Sequence, residues 1–146
     1  DIRDLTVWVF KREVADQIIA HATHEDWADG LLAMFVWMQN HPEETRSVVS
    51  SLGMEDLQIF LHKQLRAVME PIVDQHSIDL RVTEDDRVFV TDHFTLAILG
   101  HISQWLATGM STDPYILTER IARVLDGQVR RSLELFASSP HPPARA

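Results

Sequence analysis

Residues 96–125, LAILGHISQWLATGMSTDPYILTERIARVL, set the fold class. Ile98, Ile102 and Trp105 recur at steps of four and three, one face of an α-helix, with Phe94 extending that face upstream. The helix should reach Ala107 and stop at Gly109. A second helix restarts at once: Asp113 is a good cap for orphan amides, and Pro114 suits a first helical position, where its missing N–H is not needed.

Working outward, the same punctuation recurs. Downstream, the restarted helix is expected to run unbroken towards Phe136, and residues 138–146 form a disordered tail with little to bury. Upstream, HSIDLRVTEDDR at 76–87 is a loop in which Thr83 caps the next helix and Glu84, Asp85 and Asp86 sit at its positive end. Leu57, Leu61, Leu65, Val68, Met69 and Ile72 stripe a helix from about Met54 to Gln75, and Pro71 inside it predicts a kink or an early end. Pro42 to Gly53 gives a short helix. Trp27, Leu31, Met34, Phe35 and Met38 stripe another, and Leu32, Val36 and Trp37 make that one apolar on its other side too, as in the buried centre of a bundle. A first helix from about Asp4 to His21 carries Leu5, Trp8, Val9, Arg12, Ile19 and Ala22 at helical spacing. The expectation is an all-α, six-helix domain over residues 1–137.

Composition fits one soluble globular domain of 146 residues. Thirteen Lys plus Arg against 22 Asp plus Glu give a net charge of −9, which repels phosphate backbones and makes this chain alone a poor nucleic-acid binder. There is no Cys, so disulfides, thiol nucleophiles and thiolate metal sites are excluded, in keeping with a reducing cytoplasm. No apolar run is long enough for a membrane span.

Catalytic signatures are missing: no GxSxG, P-loop or GxGxxG, and no carboxylate alone in an apolar stretch. No enzyme activity, cofactor or metal is expected. His21 and His24 beside Glu25, and His93 with His101 eight residues on, lack the spacing of a ligand set. Polar residues among apolar ones say more. His62 flanks the Leu61–Leu65 stripe, and His101 and Gln104 sit among Ile98, Ile102 and Trp105. They are either satisfied core groups or the polar handles of an apolar ligand pocket walled by Phe35, Trp37 and Met38. The candidate pocket residues are Phe35, Trp37, Met38, Leu61, His62, Leu65, His101 and Trp105. A second pattern is a seam of small and polar residues. His93, Ala97, Gly100, Gln104 and Ala107 repeat at steps of four and three, and Ile116, Arg120, Val124, Gly127 and Arg131 echo it on the last helix. Glycine in mid-helix costs about 1 kcal/mol relative to Ala and is tolerated where another backbone approaches closely. Either these seams face the domain's own core or water, or Ala97, Gly100, Gln104, Val124, Gly127 and Arg131 form a two-fold interface in which four helices pack.

The stretch at 96–125 resembles the last two helices of TetR-family transcriptional regulators: a small-residue helix, Trp-Leu near its end, a Gly-Met stop, Asp-Pro, and a final helix. EDWADGLLAMFVWMQNHPEETRSVVSSLG at 25–53 resembles the family's helix, break and short helix. DIRDLTVWVFKREV at 1–14 resembles the segment after the DNA-binding helices, nearest the branch similar to dihydroxyacetone-kinase activators, through Asp4, Leu5, Trp8 and Phe10. The resemblance implies a homodimeric, cytoplasmic domain that binds a small apolar or aromatic effector between the first, second, fourth and fifth helices. It implies contact with DNA only through an N-terminal helix-turn-helix absent from this chain. A stand-alone protein-interaction module and a helical metal enzyme are the alternatives.

Overall fold

The computed structural model describes residues 1–20 and 26–138. Every regular element among them is a helix: α1 (Ile2–Ala20), α2 (Trp27–Asn40), α3 (Pro42–Ser77), α4 (Glu84–Ala107), α5 (Pro114–Leu125) and α6 (Gln128–Ser138). The all-α reading holds, with two changes in how the helices divide.

The first concerns α3, where the expected short and long helices are joined. The chain turns at Gly53, whose φ of 79° and ψ of 159° interrupt the helix. Pro71, by contrast, does not end it; helical geometry continues to Ser77. The second concerns the final helix, which is two helices. α5 closes with the Asp126 amide donating to the Ala122 carbonyl (2.9 Å), and Gly127 then adopts a φ of 73°. A side chain there would meet its own backbone, at a cost of roughly 1–2 kcal/mol, so Gly127 is a hinge between helices and not a mid-helix contact. α6 also reaches Ser138, one residue into the expected tail; the remainder of that tail, residues 139–146, lies outside the described residues.

The caps behave as their chemistry dictates. The Thr83 side chain accepts the Asp86 amide (3.2 Å). Asp113 Oδ1 accepts the amides of Tyr115 (2.8 Å) and Ile116 (3.3 Å). At the end of α4 the Met110 amide donates to the Trp105 carbonyl (2.8 Å) and the Gly109 amide to the Leu106 carbonyl (3.1 Å). That pair is a Schellman closure, in which Gly109 takes the left-handed conformation. The Trp105 indole donates to the Thr112 carbonyl (2.8 Å), fastening the α4–α5 loop to the core.

One core runs through the bundle. α2 packs against α1, α3 and α5, while α3 packs against α1, α4 and α6. Leu31, Met34, Phe35 and Met38 of α2 are buried among Leu57, Leu61, Leu65, Val68, Met69 and Ile72 of α3 and Phe94, Ile98, Ile102 and Trp105 of α4. Each such side chain contributes about 1.5–3 kcal/mol of transfer free energy. The Phe35 and Trp105 rings meet edge to face at 4.8 Å. The buried stripe of α1 corrects the expected one: Phe10, Val14 and Ile18 face the core, while Leu5, Trp8 and Val9 stay exposed. Two stripes compete on that helix, and the inward one has the cleaner four-residue step.

Ion pairs tie the helices at their edges. Arg66 pairs with Asp92, joining α3 to α4, and Arg87 reaches Asp74 (3.5 Å). Arg130 holds Asp79 with two nitrogens (2.6 and 3.0 Å) and donates to the His76 carbonyl (2.7 Å), clamping α6 to the end of α3.

Candidate ligand site

Four helices converge on a small apolar cavity of about 20 Å³, room for about one water. The last turn of α1 supplies Ile18 and the middle of α4 supplies Ile98. Trp27 and Leu31 come from the first turns of α2, and Leu65, Val68 and Met69 from successive turns of α3. No lining side chain carries a charge, and the Trp27 indole N–H is the one polar side-chain group among them, so the chamber offers chiefly dispersion and desolvation to an occupant.

Trp27 and Met69 have a second face. Both also line a wide groove of about 740 Å³ between the start of α2, the end of α3 and the α5–α6 hinge. Its rim carries His76, Glu119, Arg123, Asp126 and Arg130. The two arginines are already matched, Arg123 by Glu119 and Arg130 by Asp79 and Glu134. Hydrogen bonding from Arg130 holds the Asp79 carboxyl below the ordinary carboxylate range, and Asp79 in turn raises Arg130. The groove is thus a charge-balanced vestibule outside an apolar chamber, with two side chains lining both.

The eight candidate pocket residues do not come together. Leu65 lines the chamber. Phe35, Met38 and Leu61 are fully buried core. Trp105 is buried against Phe35 and the α4–α5 loop. His62 is half-buried on α3 and His101 is exposed on α4. Trp37 faces a different groove, beside Phe10 and His41. The expected pocket had His and Gln as polar handles, whereas this chamber has only aliphatic side chains, Met69 and the Trp27 indole. Ile18, Leu31, Val68 and Ile98 were indistinguishable from plain core. Only the half-buried Trp27, a large ring at a helix start, carried a signal that could have been used.

The interface candidates lie at the surface. On α4, Gly100 and Gln104 are exposed and Ala97 is half-buried, in line with the exposed Phe89 and Leu96 and opposite the buried Phe94–Ile98–Trp105 face. Space around Gly100 is open. α6 lies alongside, with Phe136 edge-on to Phe89 at 6.3 Å, and Arg131 and Leu135 are exposed on it. Val124 is exposed on α5. Gly127 lines the vestibule.

His21, His24 and Glu25 lie outside the described residues. Among the described residues no three His, Asp or Glu side chains are placed to hold a metal ion, and no helix is long and apolar enough to cross a membrane.

No curated protein and no solved structure matches the chain. A family model described as a transcriptional regulator C-terminal region, of the TetR type, matches residues 25–127. That span takes in α2 to α5 and the hinge at Gly127, most of the chamber and all of the α4 surface, and the chain belongs to the TetR family of transcriptional regulators as a C-terminal domain.

Proposed function

We propose that this is the effector-sensing and dimerisation domain of a cytoplasmic transcriptional regulator, and that a small apolar or aromatic molecule occupies the chamber among α1, α2, α3 and α4. The observation that carries the reading is the chamber itself, an apolar cavity set between four helices, with Trp27 and Met69 lining both it and the vestibule. Its volume requires those side chains to move for a ring to enter. Met69 is suited to this, being unbranched and adaptable, and Trp27 sits in the first turn of α2.

Entry of a ring would press on Ile18 and so on the C-terminal half of α1. A displacement of α1 is how an effector would reach a DNA-binding domain joined to it, and how it would alter operator affinity. The second half of the reading is a homodimer through the outward face of α4 with α5 and α6. Phe89, Leu96 and Leu135 provide apolar area, and Gly100 and Ala97 let a second α4 approach closely.

The test of the chamber is titration of the chain with N-phenyl-1-naphthylamine, a neutral apolar fluorophore, against Leu65→Trp, which fills the chamber from α3. Saturable binding at one probe per chain, lost in Leu65→Trp while the helical content is kept, is the expected result. Equal binding by both proteins removes the chamber from the account.

A further inference from the structure

A second groove, distinct from the chamber, lies between the N-terminal half of α1 and the α2–α3 junction. It has a volume of about 370 Å³, within the roughly 300–1,000 Å³ of small-molecule sites. Phe10 and Trp37 form its aromatic side, their rings edge to face at 5.7 Å. Its polar lining consists of Thr6, Glu13, His41 and Glu44.

What sets this groove apart is the direction of its hydrogen bonding. The Thr6 hydroxyl is spent on the Ile2 carbonyl (2.9 Å). His41 Nδ1 lies 2.7 Å from the Trp37 carbonyl; a carbonyl only accepts, so Nδ1 carries the proton and Nε2 of the neutral ring is an acceptor. The imidazole is fixed in that pose by stacking on Trp37, 4.3 Å between centroids and 18° from parallel. Glu13 and Glu44 are acceptors by nature, and neither has an ion-pair or hydrogen-bond partner among the described residues. Lys11 and Arg12 of α1 are engaged elsewhere. Lys11 sits over the Phe60 ring at 5.3 Å, and Arg12 faces Trp8 at 5.4 Å and Asp16 at 4.0 Å. The Thr6 proton is thus used within α1, and two carboxylates and His41 Nε2 remain as acceptor groups beside an aromatic wall.

The geometry points to a binding site for a small organic cation, an ammonium or amidinium with N–H donors on an apolar body. Its N–H groups meet Glu13, Glu44 and His41 Nε2 in hydrogen bonds, charge-assisted at the two carboxylates, and its body lies against the half-buried Trp37, whose ring also attracts positive charge. An anion of the same shape meets two carboxylates there. None of these six residues lines the interior chamber, so the site stands independently of the effector reading.

The experiment is titration calorimetry of the full chain with 2-phenylethylamine and, separately, with 3-phenylpropionate, accompanied by amide-shift mapping by NMR. The amine should bind one per chain, with the largest shifts at Thr6, Glu13, His41 and Glu44, and the propionate should not bind. Glu13→Gln with Glu44→Gln should weaken the amine about tenfold or more by removing both charges; each single variant should show part of that loss, which keeps the test readable if the double variant folds poorly. Propionate binding as tightly as the amine, an amine affinity untouched by the glutamine variants, shifts centred on Leu65 and Ile98, or no saturable binding of the amine at millimolar concentration would each overturn the proposal.

Discussion

α1 and α4 are built alike and finished differently. Each buries one apolar stripe, Phe10–Val14–Ile18 on α1 and Phe94–Ile98–Trp105 on α4, and each leaves large apolar side chains outside. On α4 the outward residues are interleaved with Gly100, Ala97 and Gln104, giving a surface on which a second backbone can lie flat. On α1 they are crowded into Leu5, Trp8 and Val9 beside a groove edged with acids. On the two proposals above, outward apolar residues serve different ends on the two helices: close helix packing on α4, capture of a cationic group on α1.

The comparison breaks most visibly at the inward faces. Phe10→Ala should cost about 3–5 kcal/mol, because it removes a fully buried ring and leaves a cavity; urea denaturation measures it, and a loss under 1 kcal/mol would mean α1 is not anchored by that stripe. The outward face of α4 is sharpened by Leu96→Glu. The mass in light scattering should fall from twice 16.7 kDa to the single chain with helical content unchanged, and a persistent dimer would remove α4 from the interface. Asp113→Ala should cost about 1 kcal/mol by freeing two capped amides of α5, read from the same urea curves. Trp8→Ala, on the outward face of α1, should change stability by under about 0.5 kcal/mol, despite deleting a larger side chain than Phe10.

The smallest effect concerns acid. Asp79 is held below its ordinary range by Arg130, so its folded value lies under its unfolded one. The stabilisation it brings is present above the ordinary carboxylate pKa and disappears as pH falls through the folded value. Arg130→Met should flatten that part of the stability-against-pH curve and leave neutral-pH folding intact; a curve identical to that of the parent would show that the clamp carries no linkage.

Where local chemistry decides, the fold was legible. Thr83, Asp113 and Gly109 cap and stop helices as their side chains and backbone freedom require, and the α3 stripe from Leu57 to Ile72 is buried throughout. Two features were hidden. Asp126-Gly127 is compatible with a helix that continues and with one that restarts, and only tertiary packing of Val129 and Leu133 selects the break. On α1 the outward stripe is as apolar as the inward one, so amphipathicity cannot orient the helix. The chamber was less legible than the fold for a related reason: a cavity lined only by Ile, Leu, Val, Met and Trp has the composition of the core around it. Polar markers drew attention to His62 and His101, which lie outside it.

The central claim, that an apolar ligand in the chamber is felt by α1, is tested most directly by amide-shift mapping by NMR as N-phenyl-1-naphthylamine is added. The account predicts the largest changes at Ile18, Leu31, Leu65 and Ile98, continuing along α1 towards Val14 and Phe10. Changes confined to the outward face of α4, or to the chamber with α1 unmoved, would contradict it.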